Sequence, residues 1–251
     1  MATMFLTPAF TFCFTSGARP HAHAPQLRMQ APDERWETYK AAKAAERAFR
    51  DDCCVESALS LCRVASQQRD VDPDVVVDAL TTLEKEKRAA AKADDGATAR
   101  ETLDGLNGAW RLVFTTGDVQ TQKKLGRSIN YFPLRATQSF DTSNYRITNG
   151  IYLGSFAVLK FEGTFEWIEK QRKMVFDFDR VRLAGIEFPL GEGDAAQIGA
   201  STGLGSETNL KKEGKKGNFL WISADEEIAT ARGGGGGLAL WRRDREMQDA
   251  T

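Results

Sequence analysis

Asn218-Phe219-Leu220-Trp221-Ile222-Ser223-Ala224-Asp225-Glu226-Glu227-Ile228-Ala229-Thr230-Ala231-Arg232-Gly233-Gly234-Gly235-Gly236-Gly237-Leu238-Ala239-Leu240-Trp241-Arg242-Arg243 reads as two alternating strands, Phe219 to Arg232 and Leu238 to Arg243, joined by five consecutive glycines. Glycine takes positive φ without a Cβ penalty, so the chain can reverse sharply across Gly233 to Gly237. The stretch predicts a hairpin that ends a β-domain. Far upstream, Gly108-Ala109-Trp110 opens another alternating run, Trp110 to Thr116, and a barrel needs a first and a last strand to close.

The runs between them also alternate with a period of two. Trp110, Leu112 and Phe114 are expected to face one way, with Arg111, Val113 and Thr115 facing the other. Leu159, Phe161, Gly163, Phe165 and Trp167 alternate with Lys160, Glu162, Thr164 and Glu166, the pattern of a strand with one buried and one wet face. Met174, Phe176 and Phe178 repeat it against Asp177 and Asp179. Two further runs, Gln138 to Ile147 and Ile151 to Ala157, carry turn signals at Asn149-Gly150 and Gly154, and the series suggests an antiparallel barrel or sandwich. Gly185 to Gly217 is a long Gly- and Lys-rich loop inside this β region.

Before Leu103 the periodicity is helical. A helix is expected over Asp51 to Gln68, with Val55, Ala58, Leu59 and Cys62 on one face. A second is punctuated by Asp72 as N-cap and Pro73 in the first turn, with Val76, Ala79, Leu80 and Leu83 as its apolar stripe. Asp94-Asp95-Gly96 reads as a linker. The organisation is a leader over 1–30, a helical region over 31–102 and a β-domain over 103–245.

The leader reading rests on composition. Met1 to Gln30 has no acidic residue, carries Arg19, Arg28 and several Ser and Thr, and resembles an organelle transit peptide ending near Met29. The chain's two histidines, His21 and His23, lie within it, so removal would leave no histidine for triads, general bases or most catalytic zinc sites. Cys53, Cys54 and Cys62 form no Cys-x-x-Cys pair and read as reduced packing thiols. No catalytic residue, metal ligand or cofactor is expected.

The formal net charge of -1 argues against nucleic-acid binding, and Lys211-Lys212-Glu213-Gly214-Lys215-Lys216 reads as a solvated loop. No stretch reaches the roughly 18 to 20 apolar residues of a membrane-spanning helix. The glycines of Gly199 to Gly205 lack the lysine and the following helix of a phosphate loop. The carboxylate pairs Asp177/Asp179 and Glu162/Glu166 have the spacing a wet strand face produces.

Leu106-Asn107-Gly108-Ala109-Trp110-Arg111-Leu112-Val113-Phe114-Thr115-Thr116 resembles the opening motif of the plastid lipid-associated protein family, the plastid fibrillins. Gln138-Ser139-Phe140-Asp141 resembles that family's following strand. Ala224-Asp225-Glu226-Glu227-Ile228-Ala229, Arg232-Gly233 and Leu238-Ala239-Leu240-Trp241 resemble its closing segments. The resemblance implies a mainly β protein, a lipocalin-like antiparallel barrel preceded by helices. It also implies plastid residence, peripheral attachment to thylakoids or plastoglobules, and apolar ligands such as carotenoids, quinones, tocopherol or galactolipids, with no catalysis.

In lipocalin-like barrels a Gly-x-Trp on the first strand is plugged by an arginine from the last. Gly108 and Trp110 with Arg232 or Arg242 are expected to make that closure, by cation–π contact. Candidate ligand-cavity residues are Trp110, Leu112, Phe114, Leu159, Phe161, Phe165, Trp167, Met174, Phe176, Phe178 and Trp221. The same residues would serve equally as plain core packing, since small barrels fill their interiors. A scaffolding protein attached to a membrane or photosynthetic complex is the rival reading; an enzyme of isoprenoid or lipid metabolism has less support.

Overall fold

A computed structural model describes residues 32–119, 122–123, 126–128, 130–154, 156–191, 194 and 216–248. The expected leader with its histidines, the Gly199–Gly205 stretch and the Lys211–Lys215 run lie outside them. Helices α1 (Pro32–Asp51), α2 (Val55–Gln67), α3 (Pro73–Ala90) and α4 (Ala97–Leu106) precede ten strands. These are β1 (Gly108–Thr115), β2 (Asn130–Tyr131), β3 (Arg135–Asp141), β4 (Arg146–Leu153), β5 (Phe156–Ile168), β6 (Lys173–Leu183), β7 (Ile186–Pro189), β8 (Gly217–Ala224), β9 (Ile228–Gly233) and β10 (Leu238–Arg243), followed by a short α5 (Arg245–Gln248).

Neighbouring strands pair in the order β10-β9-β8-β6-β5-β4-β3-β1, and β1 pairs with β10 to close an antiparallel ring of eight. Closure leaves this ring without a free edge, which is what a barrel gains over an open sheet. The pairing of β8 with β6 covers Lys173 to Phe176, and β7 takes up the other half of β6, from Arg180 to Leu183.

Several sequence expectations shift at turns. The run Phe219 to Arg232 is two strands, because the Asp225 carboxylate accepts from the N–H groups of Glu227 and Ile228 (2.8 Å each) and turns the chain. Asn149-Gly150 is not a turn: Gly150 sits mid-strand in β4, paired with Lys160. The reversal falls at 142–145, where Asp141 accepts from the N–H groups of Ser143 and Asn144. Asp94-Asp95-Gly96 is less a linker than the start of α4, with Asp94 accepting from the Thr98 N–H (3.0 Å) and Gly96 at φ +81°. The expected 102/103 boundary therefore falls inside a helix.

α1 ends before Cys53 and Cys54, so the helix expected from Asp51 to Gln68 begins only at Val55. Buried Cys62 has its thiol pushed up to about 12 by desolvation and is an inert packing group. α3 is capped as read, with Asp72 accepting from the Asp74 N–H at 2.9 Å.

Two cores result. One lies between the helices and the outer barrel wall, where Ala58, Leu61, Val76, Leu80 and Leu83 meet Phe114, Ile222, Ile228, Leu238 and Leu240. The other lies inside the barrel, where Leu106, Trp110, Phe140, Ile147, Phe165, Met174, Trp221 and Trp241 pack together. Arg232 ties the two parts, donating from Nε to Glu84 Oε1 of α3 (2.8 Å), from Nη2 to Glu84 Oε2 (2.5 Å) and from Nη1 to the Gly236 carbonyl.

Candidate functional site: the barrel interior

Residues directly paired across neighbouring strands share a face, so the register defines the inside. Starting from Trp110, it runs through Gln138 and Asn149 to Phe161. Farther round, Phe165 pairs with Phe176, Trp167 with Met174, Met174 with Phe219, Trp221 with Ala231, and Trp241 with both Ala229 and Leu112.

One end is sealed. α4 delivers its last turn to the mouth of this ring, and Trp110, fully buried, donates its Nε1–H to the Leu106 carbonyl at 2.7 Å. The Arg243 guanidinium lies 3.9 Å from the centre of the Trp110 ring and donates to the carbonyls of Gly105 (2.9 Å), Asp225 (3.1 Å) and Asn107. A cation placed on helix C-terminal carbonyls is favourable twice over, by hydrogen bonding and by the helix dipole. Burial pushes the Arg243 pKa down, opposed by Asp225 and Glu226. Gly105 is required where it stands, since a Cβ there would meet the Ala224 carbonyl oxygen at 2.6 Å.

The expected closure by Arg232 or Arg242 is thus corrected to Arg243. The pleat gives the reason: Arg243 alternates in phase with Ala239 and Trp241, whereas Arg242 pairs with Arg111 on the outer face and Arg232 is spent on Glu84. Alternation counted on from Trp241 reaches it.

Phe114 is the second correction. A bulge between Leu112 and Phe114 shifts the register, so that Leu112 opposes Trp241 while Phe114 opposes Leu240. Phe114 leaves the barrel and packs with the helices and, edge-on at 5.4 Å, with Tyr131. By register, Leu159, Phe161, Phe165, Trp167, Met174, Phe176, Phe178 and Trp221 share a face with Trp110 and Leu112. Phe140, Ile147, Phe219, Trp241, Gln138 and Asn149 join them unannounced, most of them hidden by the misplaced turn at Asn149-Gly150.

Above the seal lies an aromatic floor. Trp221 and Trp241 are 5.3 Å apart, Phe140 meets Trp221 edge-on at 5.5 Å, and Phe219 contacts both tryptophans at 5.5 Å. Toward the other end the wall opens by steps along β6: Met174 is fully buried, Phe178 half-buried and Leu183 52% exposed. The register carries the same face on to Ile186 and Phe188, exposed by 63% and 46%. The neighbouring strands β8 to β10 bring small residues to the same face, Gly217, Gly233, Ala231 and Ala239. The glycine hairpin sits at this open end, where Gly236 has φ +90° and a Cβ on Gly237 would collide with the Gly117 carbonyl.

Among the described residues, Arg243 brings a charge to this face at the seal. Glu162 is held below the usual carboxylate range by its hydrogen bond from Lys160 at 2.7 Å, on the outer face. Among the described residues no cluster of His, Cys, Asp and Glu could hold a metal ion, and no helix is long and apolar enough to cross a membrane.

Residues 62–240 match the PAP/fibrillin family model. No curated protein matches the chain. Among solved structures, a lipocalin-like protein from Bacteroides uniformis is similar at 11% identity, over 56% of this chain and 99% of that one, with a TM-score of 0.34.

Proposed function

The chain belongs to the PAP/fibrillin family, and from that premise we propose that it is a non-enzymatic plastid protein whose barrel shields an apolar molecule taken from a lipid surface. The observation that carries this reading is the single apolar face that begins on the buried aromatic floor and ends on Leu183, Ile186 and Phe188 in solvent. A core that served packing alone gains nothing from exposing its upper rows, since each large apolar side chain left in water forgoes about 1.5–3 kcal/mol of burial. Contiguous exposed apolar surface marks a binding or membrane-facing site.

Leu153 and Phe156, at the tip of the neighbouring β4–β5 hairpin, extend the apolar rim and are suited to dip into a bilayer or a lipid droplet coat. Thylakoids and plastoglobules are the proposed surfaces, and a carotenoid, quinone, tocopherol or galactolipid the proposed cargo. The association of the family with plastids supports the compartment.

Titration of the purified full chain with cis-parinaric acid tests the reading. A saturable rise in polyene fluorescence, displaced by an unlabelled quinone or carotenoid, is expected. A strictly linear rise with no displacement would sink it.

A further inference from the structure

Four indoles face the barrel interior, and they are not treated alike. Trp110 has its N–H satisfied by Leu106, as the seal requires. The Nε1 atoms of Trp167, Trp221 and Trp241 are buried without an acceptor among the described residues. On the β3–β4 wall, Oε1 of Gln138 and Oδ1 of Asn149, directly paired across the strands, are likewise buried and unpartnered. Trp221 and Trp241 are each 2% exposed, so bulk water does not serve them.

Buried polar groups in folded proteins are met by partners almost without exception, and a group left unmet costs more than the hydrogen bond itself returns. Among the described residues one further unmet atom, Nε of Arg135, lies on the outer face of β3, and the other five share the barrel interior, where they point to an outside partner. Indole N–H groups only donate, so the partner must offer an acceptor; a carboxamide can turn either its oxygen or its NH2 to a ligand. A hydrocarbon answers none of these groups.

We propose that the barrel binds an apolar molecule with a carbonyl-bearing head, and that the head enters first. Its oxygen accepts from the indoles of the floor, Trp221 and Trp241, and its second polar group meets Gln138 and Asn149. Its tail runs out along Phe161 and Phe178 to Leu183 and the apolar rim. This rests on the barrel being a carrier, and it narrows the cargo: ketones, quinones and esters are favoured over plain hydrocarbons, with the polar end hidden and the tail toward the membrane.

Equilibrium dialysis of the full chain against a decyl-substituted 1,4-naphthoquinone and 2-decylnaphthalene separates the two claims. The quinone is expected to bind about 10-fold tighter or better, two hydrogen bonds being made at its head. Trp241→Phe should weaken quinone binding about 2- to 10-fold more than it weakens naphthalene binding. Gln138→Leu, with the fold checked by circular dichroism, gives a second reading should Trp241→Phe fail to fold. Equal affinities for the two probes, or a quinone preference that folded variants do not reduce, would overturn the inference while leaving the carrier reading intact. If neither probe binds, the carrier reading falls and takes this inference with it.

Discussion

Where α4 meets the barrel, Trp110 is wholly buried, its N–H is met and a guanidinium lies across its ring; at the opposite end Leu183 and Ile186 are more than half exposed. Both ends draw on large apolar side chains on the same inward face. The difference is in what covers them. A helix C-terminus supplies carbonyls that fix an indole and an arginine together, whereas among the described residues the hairpins at Gly154, Gly185 and the glycine run supply no such lid. Alternation in sequence reports which way a side chain points and is silent about what lies above it.

Removing the seal should have the largest effect. Trp110→Ala is expected to cost about 3–5 kcal/mol, read as a lowered denaturant midpoint, because it opens a cavity and frees Arg243 and the Leu106 carbonyl together. A loss below about 1 kcal/mol would show that this end is no better closed than the other.

Phe114→Ala should be nearly as damaging, at the lower end of about 3–5 kcal/mol, yet leave parinaric acid affinity unchanged, since Phe114 belongs to the helix-facing core. A matching loss of binding would place it inside the barrel after all.

Glu84→Gln tests the tie between α3 and the open-end hairpin. Hydrogen bonds from Arg232 hold the Glu84 carboxyl below its usual 4.5, outweighing burial, which acts the other way. A depressed folded pKa means stability that is full above the unfolded value and fades as pH falls through the folded one. The variant should be weaker by about 1–3 kcal/mol near neutral pH, and the gap should narrow on acidification below pH 4.5. A gap independent of pH would assign the loss to packing.

The smallest change in stability belongs to the rim. The double substitution of Leu183→Ser and Ile186→Ser should stay within about 0.5 kcal/mol of the parent, as for other exposed sites, while reducing flotation with galactolipid vesicles. Unchanged flotation would remove the rim from membrane contact.

Most of the barrel was legible because its strands have one dry and one wet face: Phe161 to Trp167 and Met174 to Phe178 announce themselves by alternation alone. What escaped was every place where a local device changes the phase. The bulge after Leu112 turns Phe114 outward, and a carboxylate-capped turn at Asp225 splits one apparent strand into two. Gly150 resembles a turn residue and is a strand residue. The strand endings offer Arg232 and Arg242 as the closing arginine, whereas counting on from Trp241 reaches Arg243. The unmet indoles could not be read at all, since hydrogen-bond satisfaction belongs to three-dimensional neighbours.

The bulge in β1 and the outward faces of Leu238 and Leu240 give the chain an unusual order of assembly. α1 to α3 are made before any strand, but part of the apolar surface that covers them lies on β10, the last strand in chain order. Until that strand is made, the helices pack on one another and lack part of their cover. Pairings so distant in sequence make for slow folding with apolar surface exposed on the way. A late strand thus completes an early helical core, and a nascent chain halted before Leu238 would carry two unfinished cores.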